Sequence, residues 1–116
     1  MPPKSPTILT VKDNNKSVPA RVGKQIEIHL KGNPTTGYTW TRLGFIGKET
    51  LSDDDMEVHV KFEATDSVPG MVGAGGLYKV TVIPNHKGHH TLQLIYTRHF
   101  DVKPADQKYT LHLNVE

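Results

Sequence analysis

Apolar and polar residues alternate with a period of two along most of this 116-residue chain. Between residues 25 and 31, for example, Ile26, Ile28 and Leu30 alternate with polar side chains. Successive side chains of a β-strand point to opposite faces of a sheet, so this period predicts strands with one buried face. Because no segment has an equally regular helical period, we expect a chain built from strands.

Strand-like runs recur at regular intervals. They cover residues 7–11, 25–31, 38–42, 56–63, 77–83, 90–97 and 108–115. Short strands separated by Gly, Pro, Asn and Asp predict an all-β protein, an immunoglobulin-like antiparallel β-sandwich of about seven strands. A helical turn fits the pattern only between residues 43 and 56, where Ser52 is a candidate cap before Asp53, Asp54 and Asp55.

Length and composition limit the classes of function. The length suits one domain at residues 7–116, after a flexible Pro-rich tail at residues 1–6. The chain has no cysteine, which excludes disulfides and thiol nucleophiles. A net charge of +2 without a basic stripe argues against nucleic-acid and membrane partners. We expect a monomer, with no visible signal peptide, in the cytoplasm or in a vesicular or lysosomal compartment.

Three unusual loops follow the second, fourth and sixth predicted strands, so strands that alternate in direction would bring these loops to one end of the molecule. We call them the first loop (residues 33–38), the glycine loop (residues 64–76) and the third loop (residues 98–107). Their candidate site residues are Asn33, Pro34, Thr35, Thr36, Gly37 and Tyr38; Gly73, Ala74, Gly75 and Gly76; and Arg98, His99 and Phe100.

The first loop has the residues of a stiff, uncharged projection. Pro34 restricts its own φ, Gly37 allows a positive φ, and Asn33 can bond to backbone groups of the turn. Such a loop would present Thr35 and Thr36, and it could enter a neutral cleft with little loss of entropy. The same residues also occur in ordinary turns, and that alternative stays open.

The other two loops have residues that suit contact with a protein. Gly73, Gly75 and Gly76 permit close main-chain approach and pairing with an extended partner strand, although a flexible hairpin is the alternative. A phosphate-binding loop is disfavoured because a strand pattern follows rather than a helix. Arg98 beside Phe100 is typical of interface anchors, although Phe100 could instead cover the core.

These motifs resemble those of the chagasin family, whose members inhibit papain-like cysteine peptidases and occur in protozoan parasites and some bacteria. The residues concerned are the run from Asn33 to Tyr38, the run from Gly73 to Gly76, and Tyr96-Thr97-Arg98, in that order. The resemblance covers nearly the whole chain, and it implies an immunoglobulin-like fold whose three loops wedge into a peptidase cleft.

The resemblance also implies a role for each loop. Thr35 and Thr36 would block the catalytic centre of a cathepsin L-type or B-type enzyme, the glycine loop would pair with the non-primed side, and the third loop would cover the primed side. The family usually has Arg-Pro-Trp in the third loop, where this chain has Arg98, His99 and Phe100. Phe100 can stack like an indole but offers less area and no N–H donor. The function implied is reversible, tight-binding inhibition without a cofactor.

Other functions have weaker support in the sequence. The turn with His86, His89 and His90 could bind a metal, but it lacks a carboxylate and would lie at the end opposite the three loops. The acidic run at residues 53–55 lacks the spacing of a calcium loop. No catalytic motif is present, so an enzyme is not expected. An immunoglobulin-like recognition or adhesion module for another protein or a glycan remains the alternative; Trp40 is expected in the core.

Overall fold

The computed structural model describes residues 7–64 and 75–116. Within them are eight strands: β1 (Thr7–Leu9), β2 (Lys16–Ala20), β3 (Ile26–Gly32), β4 (Thr39–Arg42), β5 (Met56–Ala64), β6 (Gly76–Pro84), β7 (Gly88–Thr97) and β8 (Gln107–Val115). Two short 3-10 helices, Val11–Asp13 and Pro34–Thr36, complete the described elements. The tail at residues 1–6 lies outside the described residues.

The strands form two four-stranded sheets. The first has the order β1-β3-β6-β5, and the second has the order β2-β8-β7-β4. All neighbours are antiparallel except β1 beside β3 and β2 beside β8, which are parallel. The predicted all-β, immunoglobulin-like sandwich is confirmed, but the prediction of wholly antiparallel sheets is wrong, because the edge strands β1 and β2 each pair in parallel.

The core lies between the inward faces of the two sheets, as the alternation predicted. Ile28 and Leu30 of β3, and Val80 of β6, have an exposed fraction of 1% or less. Leu94 of β7 and Leu111 of β8 face them from the second sheet and are fully buried. Burial of these aliphatic side chains supplies most of the driving force for folding, at about 25 cal/mol per Å² of apolar surface.

Strand β2 is absent from the seven runs that the sequence predicts. It pairs in parallel with β8, with Val18 beside Leu113 and Ala20 beside Val115. Its signal is weak because it is a short edge strand with mostly exposed residues. Pro19 lies at this edge, where a residue without an N–H is tolerated.

The helical turn considered for residues 43–56 does not form. The structure has turns and bends there, held by Arg42, whose guanidinium donates to the carbonyl of Leu51 and to Asp53 Oδ2, both at 2.9 Å. Ser52 is not a helix cap; its hydroxyl accepts from Val58 N at 3.0 Å. Asp53 also accepts from the amides of Asp55 and Met56, so part of the acidic run holds the start of β5.

The strand directions decide where the loops lie. Strands β3 and β5 are both antiparallel to β6, so they end at the same end of the sandwich. Strand β7 ends there too, because Tyr96 near its end packs against Trp40 near the start of β4, the strand that follows the first loop. The first loop and the third loop therefore share that end with the described ends of the glycine loop, Ala64 and Gly75. The turn at residues 85–87 lies at the opposite end, where Asn85 N donates to the carbonyl of Asp55. In the described part of the chain, no helix is long and apolar enough to cross a membrane.

Candidate functional site

Hydrogen bonds inside the first loop close it into a single 3-10 turn. Asn33 caps this turn: its side-chain oxygen accepts from Thr35 N at 3.1 Å and from Thr35 Oγ1 at 2.6 Å. The carbonyl of Asn33 accepts from Thr36 N at 3.2 Å and from Thr36 Oγ1 at 2.7 Å. Pro34 occupies the first turn of the helix, where a missing N–H does no harm. The loop is therefore ordered by its own residues.

Gly37 ends the turn in the left-handed region, with φ at 86°. Its N–H donates to the carbonyl of Pro34 at 3.0 Å. Other residues rarely adopt this φ, so glycine is needed for the chain to leave the turn in this direction. The residues from Pro34 to Gly37 are exposed, and Thr35 and Thr36 form the tip of a projection without charge.

Aromatic rings support the loop from below. The ring of Tyr96 stacks on that of Tyr38, with centroids 5.3 Å apart, and lies 5.3 Å from that of Trp40. Tyr78 meets Tyr96 edge-on at 6.4 Å and packs on Phe62 at 4.9 Å. Such pairs are favourable beyond the area they bury. Tyr78 and Tyr96 lie in two of the predicted strand runs, 77–83 and 90–97, but alternation alone could not indicate this shared cluster under the loop.

Gly32, just before the loop, was missed as a site residue by the sequence reasoning. A Cβ there would lie 2.5 Å from Tyr78 Cε1 and 3.0 Å from Tyr96 Cε1, closer than side chains pack. The absence of a side chain lets the two tyrosines reach the base of the first loop. No local signal could have found this, because the conflicting rings come from distant strands.

The third loop packs against the first. The guanidinium of Arg98 lies over the ring of Tyr38 at 4.7 Å, a cation–π contact. A Cβ on Gly37 would lie 3.6 Å from both Arg98 Nε and Phe100 Cζ. The structure therefore brings Gly37, Tyr38, Arg98 and Phe100 together, as the sequence predicted for the loops as a group. His99 is exposed beside them.

Arg98 and Phe100 differ in their surroundings. Arg98 is partly buried, and its Nε is a buried nitrogen without a hydrogen-bond partner in the described part of the chain. Phe100 is 79% exposed, the most exposed of the large hydrophobic side chains in that part. The alternative in which Phe100 folds over the core is therefore wrong, and this ring is available for contact with another molecule.

Asp106 holds the far end of the third loop. Its carboxylate accepts from Thr97 Oγ1 at 2.6 Å and from Lys103 N at 2.9 Å. The hydrogen bond from Thr97, followed by that from the Lys103 amide, lowers the pKa of Asp106. The loop is also held at its start, where the main chains of Arg98 and Asp101 form an isolated antiparallel β-bridge.

The glycine loop is described only at its ends. Gly73 and Ala74 lie outside the described residues. Gly75 has φ at 83°, and a Cβ on it would lie 2.7 Å from the carbonyl oxygen of Gly32. Gly76, expected in the loop, instead begins β6 and is flanked in register by Gly32 and Ala64. A Cβ on Gly76 would collide with the carbonyl of Glu63. Its main chain therefore lies inside the sheet, so Gly76 is not an open pairing surface.

Residues of the two candidate metal sites make contacts with other groups of the protein instead. His90 Nε2 lies 3.0 Å from the carbonyl of His86, and the rings of His89 and His112 stack at 5.5 Å. Asp53 is paired with Arg42. Residues 7–64 and 75–116 contain no group of three or more histidine, cysteine or acidic side chains that could hold a metal ion.

Comparison with known proteins identifies the family of this three-loop sandwich. The sequence-family model described as chagasin family peptidase inhibitor I42 matches residues 19–115 of this chain. The chain belongs to the chagasin family of cysteine peptidase inhibitors. The resemblance found in the sequence motifs is thereby confirmed, and members of the family are inhibitors rather than enzymes.

Relatives in this family span almost the whole chain. Amoebiasin-1 of Entamoeba histolytica is 32% identical, over 93% of this chain and 98% of its own length. Chagasin of Trypanosoma cruzi is 31% identical, over 90% of this chain and 94% of its own. The solved structure of Leishmania mexicana ICP is 52% identical, with a TM-score of 0.71, and the match covers 97% of this chain and 91% of that one. Chagasin-family inhibitors bind papain-like cysteine peptidases.

Proposed function

We propose that this protein inhibits papain-like cysteine peptidases reversibly by inserting the first loop into the active-site cleft. The observation that carries the proposal is the projection formed by Thr35 and Thr36, which is uncharged, exposed and internally hydrogen-bonded. A loop without charge enters a partly dry cleft with a small desolvation penalty. A loop already closed by its own bonds loses little entropy on docking.

The flanking loops widen the contact. Phe100 is an exposed ring beside the projection, suited to an apolar subsite on one side of the cleft. Main-chain pairing on the other side falls to the glycine loop before Gly76, because Gly76 itself is already inside the sheet. Three loops together would bury about 1,600 Å², the standard size of a stable interface.

The shape of the first loop also explains why the inhibitor would survive contact with a peptidase. A substrate binds extended, with its scissile carbonyl aligned to the nucleophile. Residues 34–36 instead form a 3-10 turn whose N–H groups at Thr36 and Gly37 are bonded back to Asn33 and Pro34. The turn fills the cleft without offering an extended peptide bond. We further propose that one monomer acts on one cathepsin L-type or B-type enzyme.

The test is a titration of papain and of a cathepsin L-type and a cathepsin B-type peptidase, following hydrolysis of a fluorogenic peptide. We expect activity to vanish near equal stoichiometry, to return on dilution, and to leave the protein uncut on a gel. No loss of activity at micromolar excess, with circular dichroism showing a folded β-protein, would refute the proposal. That result would favour a recognition module that uses the same loops.

A further inference from the structure

We propose that Tyr96 is a positioning residue: its hydroxyl holds the first loop in the shape that a peptidase captures. The inference rests on the proposed function and assigns a task to a side chain that does not itself reach the exposed tip. Tyr96 lies in β7, 63 residues from the loop that it contacts.

The hydroxyl bonds to both main-chain groups of one residue. Asn33 N donates to the Tyr96 oxygen at 2.8 Å, and the Tyr96 hydroxyl lies 3.4 Å from the carbonyl oxygen of Asn33, to which it donates. Asn33 is the residue on which the bonds inside the loop converge, because its side chain and carbonyl accept from Thr35 and Thr36. Fixing Asn33 therefore fixes the base of the entire projection.

The Tyr96 ring is itself held. Its ring contacts the rings of Tyr38 and Trp40, each with its centroid 5.3 Å away, and Tyr78 meets it edge-on at 6.4 Å. Gly32 leaves the space through which the ring approaches the loop. A hydroxyl on a ring that cannot swing away is an anchor of fixed position.

This geometry predicts where the effect of Tyr96 appears in the kinetics. When only a fraction of the molecules has the competent loop shape, the apparent association rate falls with that fraction. Once bound, the cleft itself holds the loop, so dissociation changes little. A residue that touches the enzyme behaves in the opposite way, because truncating a contact mainly raises the dissociation rate.

The experiment compares Tyr96→Phe with Tyr109→Phe. Tyr109 is the control tyrosine: it is 1% exposed, whereas Tyr96 is partly buried, and its hydroxyl donates at 2.9 Å to the carbonyl of Thr10, which belongs to none of the three loops. For Tyr96→Phe we expect association with papain to slow by about threefold to tenfold, as for one lost hydrogen bond, and dissociation to change less than about twofold. Tyr109→Phe should keep both wild-type rates.

Two kinetic outcomes would overturn the inference. One is an association rate for Tyr96→Phe equal to that of the wild type. The other is a change confined to dissociation, which would make Tyr96 a contact residue.

Amide hydrogen exchange measured by NMR on the free protein separates this inference from the proposed function. Tyr96→Phe should speed exchange at Asn33 and Thr36, while Tyr109→Phe should not. If the wild-type protein fails to inhibit any peptidase, the proposed function fails, yet this readout still decides the role of Tyr96. Unchanged exchange at Asn33 in Tyr96→Phe would disprove that role whatever the inhibition assay shows.

Discussion

At the scale of single residues, two glycines shape the site for different physical reasons. Gly37 is required by its own backbone, since its φ of 86° strains any residue with a side chain. Gly32 is required by its neighbours, because Tyr78 and Tyr96 occupy the space of a side chain. The first constraint is local and the second comes from tertiary packing.

Substitution of Gly37 tests whether the shape of the loop matters. Gly37→Val places a β-branched residue at a positive φ, so the chain should leave the turn in another direction. We expect inhibition to weaken by at least about tenfold, as for about 1.4 kcal/mol, while thermal unfolding changes little because the residue is exposed. Inhibition constants and melting temperatures of the purified variant are the measurements.

Gly47→Val is the matched control for this substitution. Gly47 has φ at 78°, and a Cβ built there would have nothing within 4 Å. A valine at this position would therefore have the same backbone strain as at Gly37, but outside the three loops. It should inhibit like the wild type. Equal inhibition by a folded Gly37→Val would contradict the claim that loop shape matters.

The two glycines also show what the sequence could predict. Asn33, Pro34 and Gly37 have turn chemistry that acts within a few residues, so the first loop was predicted from its sequence alone. Gly32 could not be predicted, because its partners are 46 or more residues away in sequence and meet it only after both sheets have formed. For the same reason the hydroxyl of Tyr96 could not be assigned to Asn33.

At the scale of elements, the two predicted anchor residues of the third loop face in opposite directions. Arg98 faces inward and stacks on Tyr38, whereas Phe100 faces outward. The sequence predicted both as anchors for a partner, since residue type alone cannot separate a side chain that braces a neighbouring loop from one that is free to bind.

The double substitution Arg98→Ala and Phe100→Ala should mainly speed dissociation from papain. The faster dissociation comes from the loss of the exposed Phe100 ring, because interface truncations act chiefly on the dissociation rate, whereas loss of the Arg98 contact with Tyr38 acts on association. We expect an increase of about tenfold or more, the effect of losing one anchor. Surface plasmon resonance would measure it.

Val22→Ala provides the control for the third loop. Val22 is 42% exposed and lies at the opposite end, where its N–H donates to the carbonyl of Glu116. Its dissociation rate should equal that of the wild type. If the double variant also keeps the wild-type rate, the third loop has no part in binding.

Other elements show the limits of pattern reading. The seven runs all became strands, because a period of two marks a half-buried strand directly. Strand β2 was missed because only Val18 and Ala20 face inward from a short edge strand. The spacing of the acidic run at residues 53–55 indicates no partner within the run, yet Asp53 pairs with Arg42, which lies 11 residues away in β4.

At the scale of the whole molecule, ionised carboxylates form hydrogen-bonded ion pairs that stabilise the folded sandwich. Burial raises the pKa of Asp53, but the hydrogen bond and charge of Arg42, with the amides of Met56 and Asp55, outweigh burial and lower it. The hydrogen bond from Lys79 lowers the pKa of Glu63. A carboxyl whose pKa is lowered in the folded state stabilises the fold above its unfolded pKa, and this stabilisation is lost as the pH falls through the folded value.

Asp53→Asn should therefore lower stability at pH 7 and weaken its dependence on pH. The change leaves the buried guanidinium of Arg42 with the Leu51 carbonyl but without its carboxylate. We expect a loss of about 1–2 kcal/mol at pH 7, reduced by solvent screening at this partly exposed pair. Because the wild-type protein begins to lose its own contribution as the pH falls below about 4 and loses it fully only below the lowered pKa of Asp53, the difference between the two proteins should narrow between pH 5 and pH 3. Urea unfolding at pH 7, 5 and 3 measures this.

Asp54→Asn is the control for charge alone. Asp54 is exposed in the same acidic run. Its substitution should leave the free energy of unfolding within about 0.5 kcal/mol of the wild type. A loss as large as that of Asp53→Asn would assign the effect to net charge rather than to the pair with Arg42.

The pairing of β1 with β3 and of β8 with β7 determines where the first and last described residues lie. Thr7 lies beside Ile26 at the start of β3, and Glu116 follows Val115, which lies beside Gly88 at the start of β7. Both positions are therefore at the end of the sandwich opposite the three loops. Polypeptide fused beyond Glu116, or a resin coupled there, would leave the loops facing solution. The fold thus suits use as an immobilised affinity reagent for capturing active peptidases from mixtures.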